Sequence, residues 1–173
     1  MERVAIHEKA GFLRDAVFSA NDGLITTFAI VAGSSGASLS SNIVVILGLV
    51  NLVADGISMA SGSYLGVKSE LEYEGAEGDH AHDGDSPLKH AIMTFATFIL
   101  VGILPLVPYV FNIEPKFLLS IIIVAISLFF IGASRSSITK KSFIRSGIEV
   151  FLIGGVAASA AYAVGYLAER YLL

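Results

Sequence analysis

AVFSANDGLITTFAIVAG (residues 16–33) and IVVILGLVNLVADGISMASGSYLGV (residues 43–67) are both long and apolar, and each carries an aspartate inside the run. About 20 mainly apolar residues suffice to cross a bilayer, so both stretches are expected to be membrane helices. A carboxylate at the centre of such a helix costs roughly 2.5–3.5 kcal/mol on insertion scales, and residues of this kind usually face a cavity or an ion path. Asp22 and Asp55 are therefore the first candidate site residues. Their chemistry predicts a protein that moves or holds a cation inside a membrane.

The rest of the chain agrees with that class. Of its 173 residues 54% are hydrophobic and only 15% charged, beyond the range of an ordinary soluble domain. The net charge of −4 carries little information, because seven of the fifteen acids lie between Glu70 and Asp85. Cysteine is absent, which excludes disulfides, iron–sulfur clusters and thiolate metal sites. Residues 1–15 carry charges throughout and lack the apolar core of a signal peptide, so the first helix is expected to be retained.

Three further spans are expected at residues 91–111, 117–134 and 147–168, giving an all-α integral membrane protein with five transmembrane helices. Pro105 and Pro108 should kink or end the third helix near a tight turn at 112–116. With the N-terminus cytoplasmic, Arg3, Lys9, Arg14, Lys68, Lys89, Arg135, Lys140, Lys141 and Arg145 all fall inside, and only Lys116 and Arg170 fall outside. That bias selects the orientation. The expected organisation is a cytoplasmic segment 1–15, helices one and two with the ion site at 16–68, an acidic cytoplasmic linker at 69–87, and helices three to five at 88–173. The linker's first third can prolong helix two past the membrane, whereas its glycines and later acids argue against a compact domain. Small residues four apart, Gly62 and Gly66, Gly154 and Ala158, and Gly155 and Ser159, permit close helix contact or dimerisation.

Asn51, Asp55 and Met59 stand at i, i+4 and i+8, one helical stripe about 12 Å long. Counted from the inner ends of the two apolar runs, Asp22 lies about 9 Å and Met59 about 12 Å deep, nearly level, with Asp55 about 18 Å deep. Carboxylate and amide oxygens alone suit hard cations; a thioether beside them moves preference toward Fe2+, with Mn2+ next. A cation that occupies such an aspartate displaces its proton, so metal and proton compete for one site. Glu70, Glu72, Glu74, Glu77, Asp79, His80, His82, Asp83 and Asp85 are expected to recruit divalent cations loosely from the cytosol, by charge more than by fixed geometry. Glu149, one turn into the fifth helix, is placed at the membrane interface or the ion entrance, and His90 at the interface.

RDAVFSANDGLITTFAIVAGSSGAS (14–38), LVNLVADGISMASGSYLGVKSE (49–70) and IGASRSSITKKSFIRSGIEVFLIGG (131–155) resemble the vacuolar iron transporter family. The resemblance covers most of the chain outside the linker and third span. It implies five helices per protomer, a homodimer with the ion path at the two-fold interface, and export of Fe2+ or a related ion in exchange for protons. Family transport residues map onto Asp22 of the NDG signature and Met59 of ISM. Some eukaryotic members have a glutamate where this chain has Asn51, and a long glutamate-rich domain where it has the short linker; Asp55 can supply the missing charge one turn on.

The expected partners are a divalent metal ion, protons, membrane lipid and a second copy of the chain. No cofactor and no nucleic acid are expected, since the basic residues lack interleaved aromatic platforms. The expected membrane is the plasma membrane of a prokaryote or the vacuolar membrane of a eukaryote. No nucleophile, paired-histidine or nucleotide-binding motif indicates an enzyme. The rival reading is a membrane module that senses or sequesters metal, or anchors a partner through the acidic linker, without transport.

Overall fold

In hydrocarbon every backbone N–H and C=O must be satisfied within its own segment, so long apolar runs without strand pairing become helices. The computed structural model describes the backbone of residues 2–78, 85–139 and 142–172 and the side chains of 9–78, 85–134 and 142–171. Among the described residues the regular structure is entirely helical: α1 (Glu2–Gly36), α2 (Ser41–Glu77), α3 (Pro87–Gly102), α4 (Val107–Val110), α5 (Lys116–Thr139) and α6 (Phe143–Leu172). Five stretches are long and apolar enough to cross a membrane: Lys9–Gly36, Ser41–Glu77, Pro87–Val110, Lys116–Ser134 and Phe143–Tyr171. Each contains or closely overlaps one of the five expected spans.

Local chemistry sets the ends. Pro105 and Pro108 break the third span into α3, a 3-10 turn at Leu104–Leu106 and the single turn α4, because proline supplies no backbone donor. Helix α2 continues through Gly75 and stops at Gly78, whose N–H bonds to the carbonyls of Glu74 and Gly75 and whose left-handed φ of 74° turns the chain out of the helix. Its 37 residues span about 55 Å against a hydrocarbon core of about 30 Å, so the acidic end of α2 projects beyond the apolar layer. Helix α1 is likewise continuous from Glu2, and the expected boundary between residues 15 and 16 falls inside it.

Helix α1 occupies the centre and packs on α2, α3, α5 and α6. Leu24, Phe28 and Val31 of α1 meet Val44 and Leu52 of α2, Phe98 of α3, Val124 and Leu128 of α5 and Val150 of α6 in one buried cluster. Two glycines bring backbones together there. A Cβ on Gly23 would stand 2.6 Å from the Phe98 carbonyl oxygen of α3, and one on Gly165 of α6 would collide with the Gly33 carbonyl oxygen of α1. The small-residue pairs singled out by spacing behave differently. Gly154 packs on Leu128, while Gly62, Gly66 and Gly155 meet nothing within 4 Å among the described residues.

At the far end of α1, the Lys116 ammonium donates to Ser41 Oγ at 3.1 Å and pairs with Glu114 at 3.0 Å, joining the start of α2 to the start of α5. This hydrogen bond from Lys116 holds the exposed Glu114 carboxyl below the usual carboxylate range.

The α1–α6 contact can be tested directly. Gly165→Ala should destabilise the detergent-solubilised protein by roughly 1–3 kcal/mol through overpacking, lowering its thermal midpoint. Gly155→Ala, where a Cβ meets nothing within 4 Å, should leave the midpoint unchanged or slightly raised.

Candidate ion site

Continuous helix through residues 41–77 keeps Asn51, Asp55 and Met59 on one stripe, and all three are half-buried. Leu52 and Gly56 on one side of the stripe are buried, whereas Val53 and Ile57 on the other are exposed. The stripe thus lies along the edge where α2 leaves the bundle. Asn51 Nδ2 is buried without a hydrogen-bond partner among the described residues, and Met59 packs against the core cluster.

Asp22 is half-buried on α1, near enough to Asp55 of α2 for each carboxylate to feel the other's charge. The register can be read from Ser63 Oγ, 3.5 Å from Asp15 Oδ2. From that level Asp22 lies about 10.5 Å deeper along α1; Met59 lies about 6 Å and Asp55 about 12 Å deeper along α2. Asp22 therefore stands opposite Asp55, with Met59 about one turn nearer the linker end of the bundle. This differs from the equal depth of Asp22 and Met59 expected from hydropathy, because both helices extend well past their apolar runs and the two boundaries do not mark one plane.

A cavity of about 540 Å³ opens beside the stripe at the linker end, lined among others by Asp15, Met59, Ser63, Glu70 and Thr94. A smaller one of about 220 Å³ is lined by Arg14, Glu70, Asp85 and His90 among others. Glu70, Glu72 and Glu77 are exposed and Glu74 half-buried, all on the projecting end of α2, where Lys68 and Glu72 pair at 3.7 Å. The continuation of helix two into the linker's first third is as expected for Glu70, Glu72 and Glu74, and the helix runs further, to Glu77. Asp79, His80, His82 and Asp83 lie outside the described residues. Glu149 is exposed at the start of α6 and lines a cavity with Arg145, away from Asp22 and Met59. Among the described residues no three His, Asp or Glu side chains converge as a metal-binding group.

Sequence reading missed Asp15 and did not foresee that His90 is buried against it. Both are buried, and His90 Nδ1 lies 2.6 Å from Asp15 Oδ2. The one signal available was spacing: Asp15 precedes Asp22 by seven residues, two turns along the same helical face. The histidine partner, 75 residues away, has no local signature.

Comparison with known proteins closes the question of kinship. Vacuolar iron transporter homolog 4 of Arabidopsis thaliana is 32% identical, over 88% of this chain and 81% of its own length. Vacuolar iron transporter 1 of Arabidopsis thaliana is 26% identical over 95% of the chain and 89% of its own length. The vacuolar iron transporter of Toxoplasma gondii is 24% identical over 91% and 74%. The profile of the VIT family matches residues 13–83 and 76–166, which contain every intramembrane site residue described above, and the chain belongs to that family.

Proposed function

We propose that this chain is a divalent metal transporter that moves Fe2+, and Mn2+ next, out of the cytosol in exchange for protons, acting as a homodimer with its N-terminus cytoplasmic. The observation that supports the reading is the placing of Asp22 and Asp55 at about one level inside an apolar five-helix bundle, with the Met59 thioether about one turn away. Two carboxylates alone favour hard ions, and the thioether extends the preference to Fe2+. The relatives' names point to iron as well. Proton exchange follows from competition for one pair of oxygens: the ion binds the deprotonated form, and its release lets a proton return.

Dimerisation is supported by what one protomer leaves open. The stripe lies at the edge of the bundle, and among the described residues Gly62 and Gly66 meet nothing within 4 Å and no three His, Asp or Glu side chains converge. A second copy related by a two-fold axis would double the carboxylates and thioethers at one place. The orientation is supported by the nine basic residues that gather on the linker side. The acids on the projecting end of α2 then face the cytosol, where they raise the local cation concentration.

Flux into proteoliposomes tests the reading: metal should cross the membrane with counter-movement of protons. Binding without flux would instead establish the sensing or sequestering module. Asp22→Asn removes a ligand charge and an exchangeable proton. Since loss of an outer-shell partner alone costs about 10–100-fold in metal affinity, transport at limiting metal should fall by about 100-fold. Met59→Ala should retain flux and lose discrimination for Fe2+ over harder ions in a competition assay.

Topology is checked with reporters: one at the N-terminus or within residues 79–85 should read cytoplasm, and one after Leu173 the opposite side. For the linker, amides in place of Glu72, Glu74, Glu77, Asp79, Asp83 and Asp85 should lower flux at limiting metal and spare the maximum rate. The difference should fade at about 1 M salt, where the Debye length is about 3 Å. Loss at saturating metal would show an obligatory mechanistic role for these acids.

A further inference from the structure

The best-built polar contact in the molecule plays no part in the site as described so far. Asp15 of α1 and His90 of α3 are 9% and 1% exposed, and Asp15 Oδ2 lies 2.6 Å from His90 Nδ1. Arg14 Nε donates to Oδ1 at 3.1 Å, and Ser63 Oγ of α2 lies 3.5 Å from Oδ2. The imidazole is stacked on Phe12, with centroids 4.2 Å apart and planes 9° apart. A Cβ at Gly11 would stand only 3.1 Å from His90 Cε1, so the ring is also confined at its edge.

Hydrogen bonding assigns the tautomer. His90 Nε2 is buried and lacks a hydrogen-bond partner among the described residues, which suits a bare ring nitrogen and leaves an N–H there with no acceptor. Nδ1 then carries the proton and donates it to Asp15. All three groups around the carboxylate, Arg14, Ser63 and His90, are donors, the arrangement of an acceptor-only oxygen pair.

Asp15 is also well placed. Its cavity is shared with Met59, Ser63, Glu70 and Thr94, and its level is about one turn nearer the linker end than Met59. Among the described residues, the other acidic groups lining these two cavities are Glu70 of α2 and Asp85 before α3, both on the linker side. Arg14, whose side chain is 64% exposed, can swing away from Oδ1 when a cation arrives.

We propose that His90 is a positioning residue of the ion path: its Nδ1–H holds the Asp15 carboxylate in the cytoplasmic cavity as the first fixed charge a divalent cation meets before Met59 and the Asp22 and Asp55 pair. The inference rests on the transport reading above. A carboxylate already oriented by its donors needs no reorganisation when the ion arrives, which is what makes a buried charge effective in capture.

The test uses Fe2+ flux into proteoliposomes, with Fe2+ kept reduced, and Mn2+ binding in detergent followed by loss of the hexaaqua Mn2+ spin-resonance signal. His90→Phe keeps the stack on Phe12 and removes the donor; the half-saturating metal concentration should rise about tenfold with the maximum rate retained. His90→Asn, whose side-chain amide can reach the Nδ1 position, should restore most of that loss. Asp15→Asn should match His90→Phe, and the double variant should lose little more than either single one. Wild-type metal dependence in folded His90→Phe, or failure of His90→Asn to restore while Asp15→Asn transports normally, overturns the proposal. If His90→Phe does not fold, Asp15→Asn and His90→Asn decide the matter: weakened Mn2+ binding in the first with near-normal binding in the second supports it, and the reverse overturns it. Should the wild type bind Mn2+ and move no metal, the transport reading fails. The binding comparison then still reports on His90.

Discussion

The rest of the structure depends on keeping the most polar helix of a membrane bundle away from lipid. Helix α1 carries Asp15, Ser19, Asn21, Asp22, Thr26 and Thr27 and is the least apolar of the five spans, yet it is the most enclosed. Charged groups in hydrocarbon are tolerated when they face the bundle interior, and the four remaining spans supply the apolar sheath. Several of α1's hydroxyls satisfy themselves along the helix: Ser19 donates to the Asp15 carbonyl at 2.6 Å and Thr26 to the Asp22 carbonyl at 2.8 Å. The carboxylates are left to find partners on other helices, and those partners define the site.

Two kinds of helix contact follow. Toward α3 and α6, glycines let backbones approach until a single methyl group would collide, so α1 is held rigidly. Toward α2 the packing is looser and cavities remain. The polar residues of α2 lie along that looser edge. A fixed central helix against a helix with open small-residue positions is the arrangement that the proposed alternation between metal and protons needs, since ions must enter without dismantling the core.

Charge is graded along the same axis. The projecting end of α2 carries exposed glutamates, Asp15 sits at the mouth among three donors, and Asp22 and Asp55 lie at about one level deeper in the bundle. In the proposed orientation a cation passes from screened, weakly held contacts to desolvated ones, each step exchanging water for protein oxygen. Fixing Asp15 through His90 places a strong contact where the solvated and desolvated regions meet.

Fold class and the candidate site residues were legible in the chain alone, because apolar length, proline positions and the rarity of intramembrane carboxylates are local properties. Five spans, the break at Pro105 and Pro108, and the Asn51, Asp55 and Met59 stripe all follow from spacing along single helices. Relative depth was not legible: the level of Asp22 against Asp55 depends on how far each helix slides against its neighbour, and hydropathy boundaries blur where helices project from the membrane. Nor could local pattern reveal that Asp15 and His90, 75 residues apart, would be buried together. Only the packing of α1 against α3 decides that, since a charged residue near a helix end reads as solvated until another helix covers it.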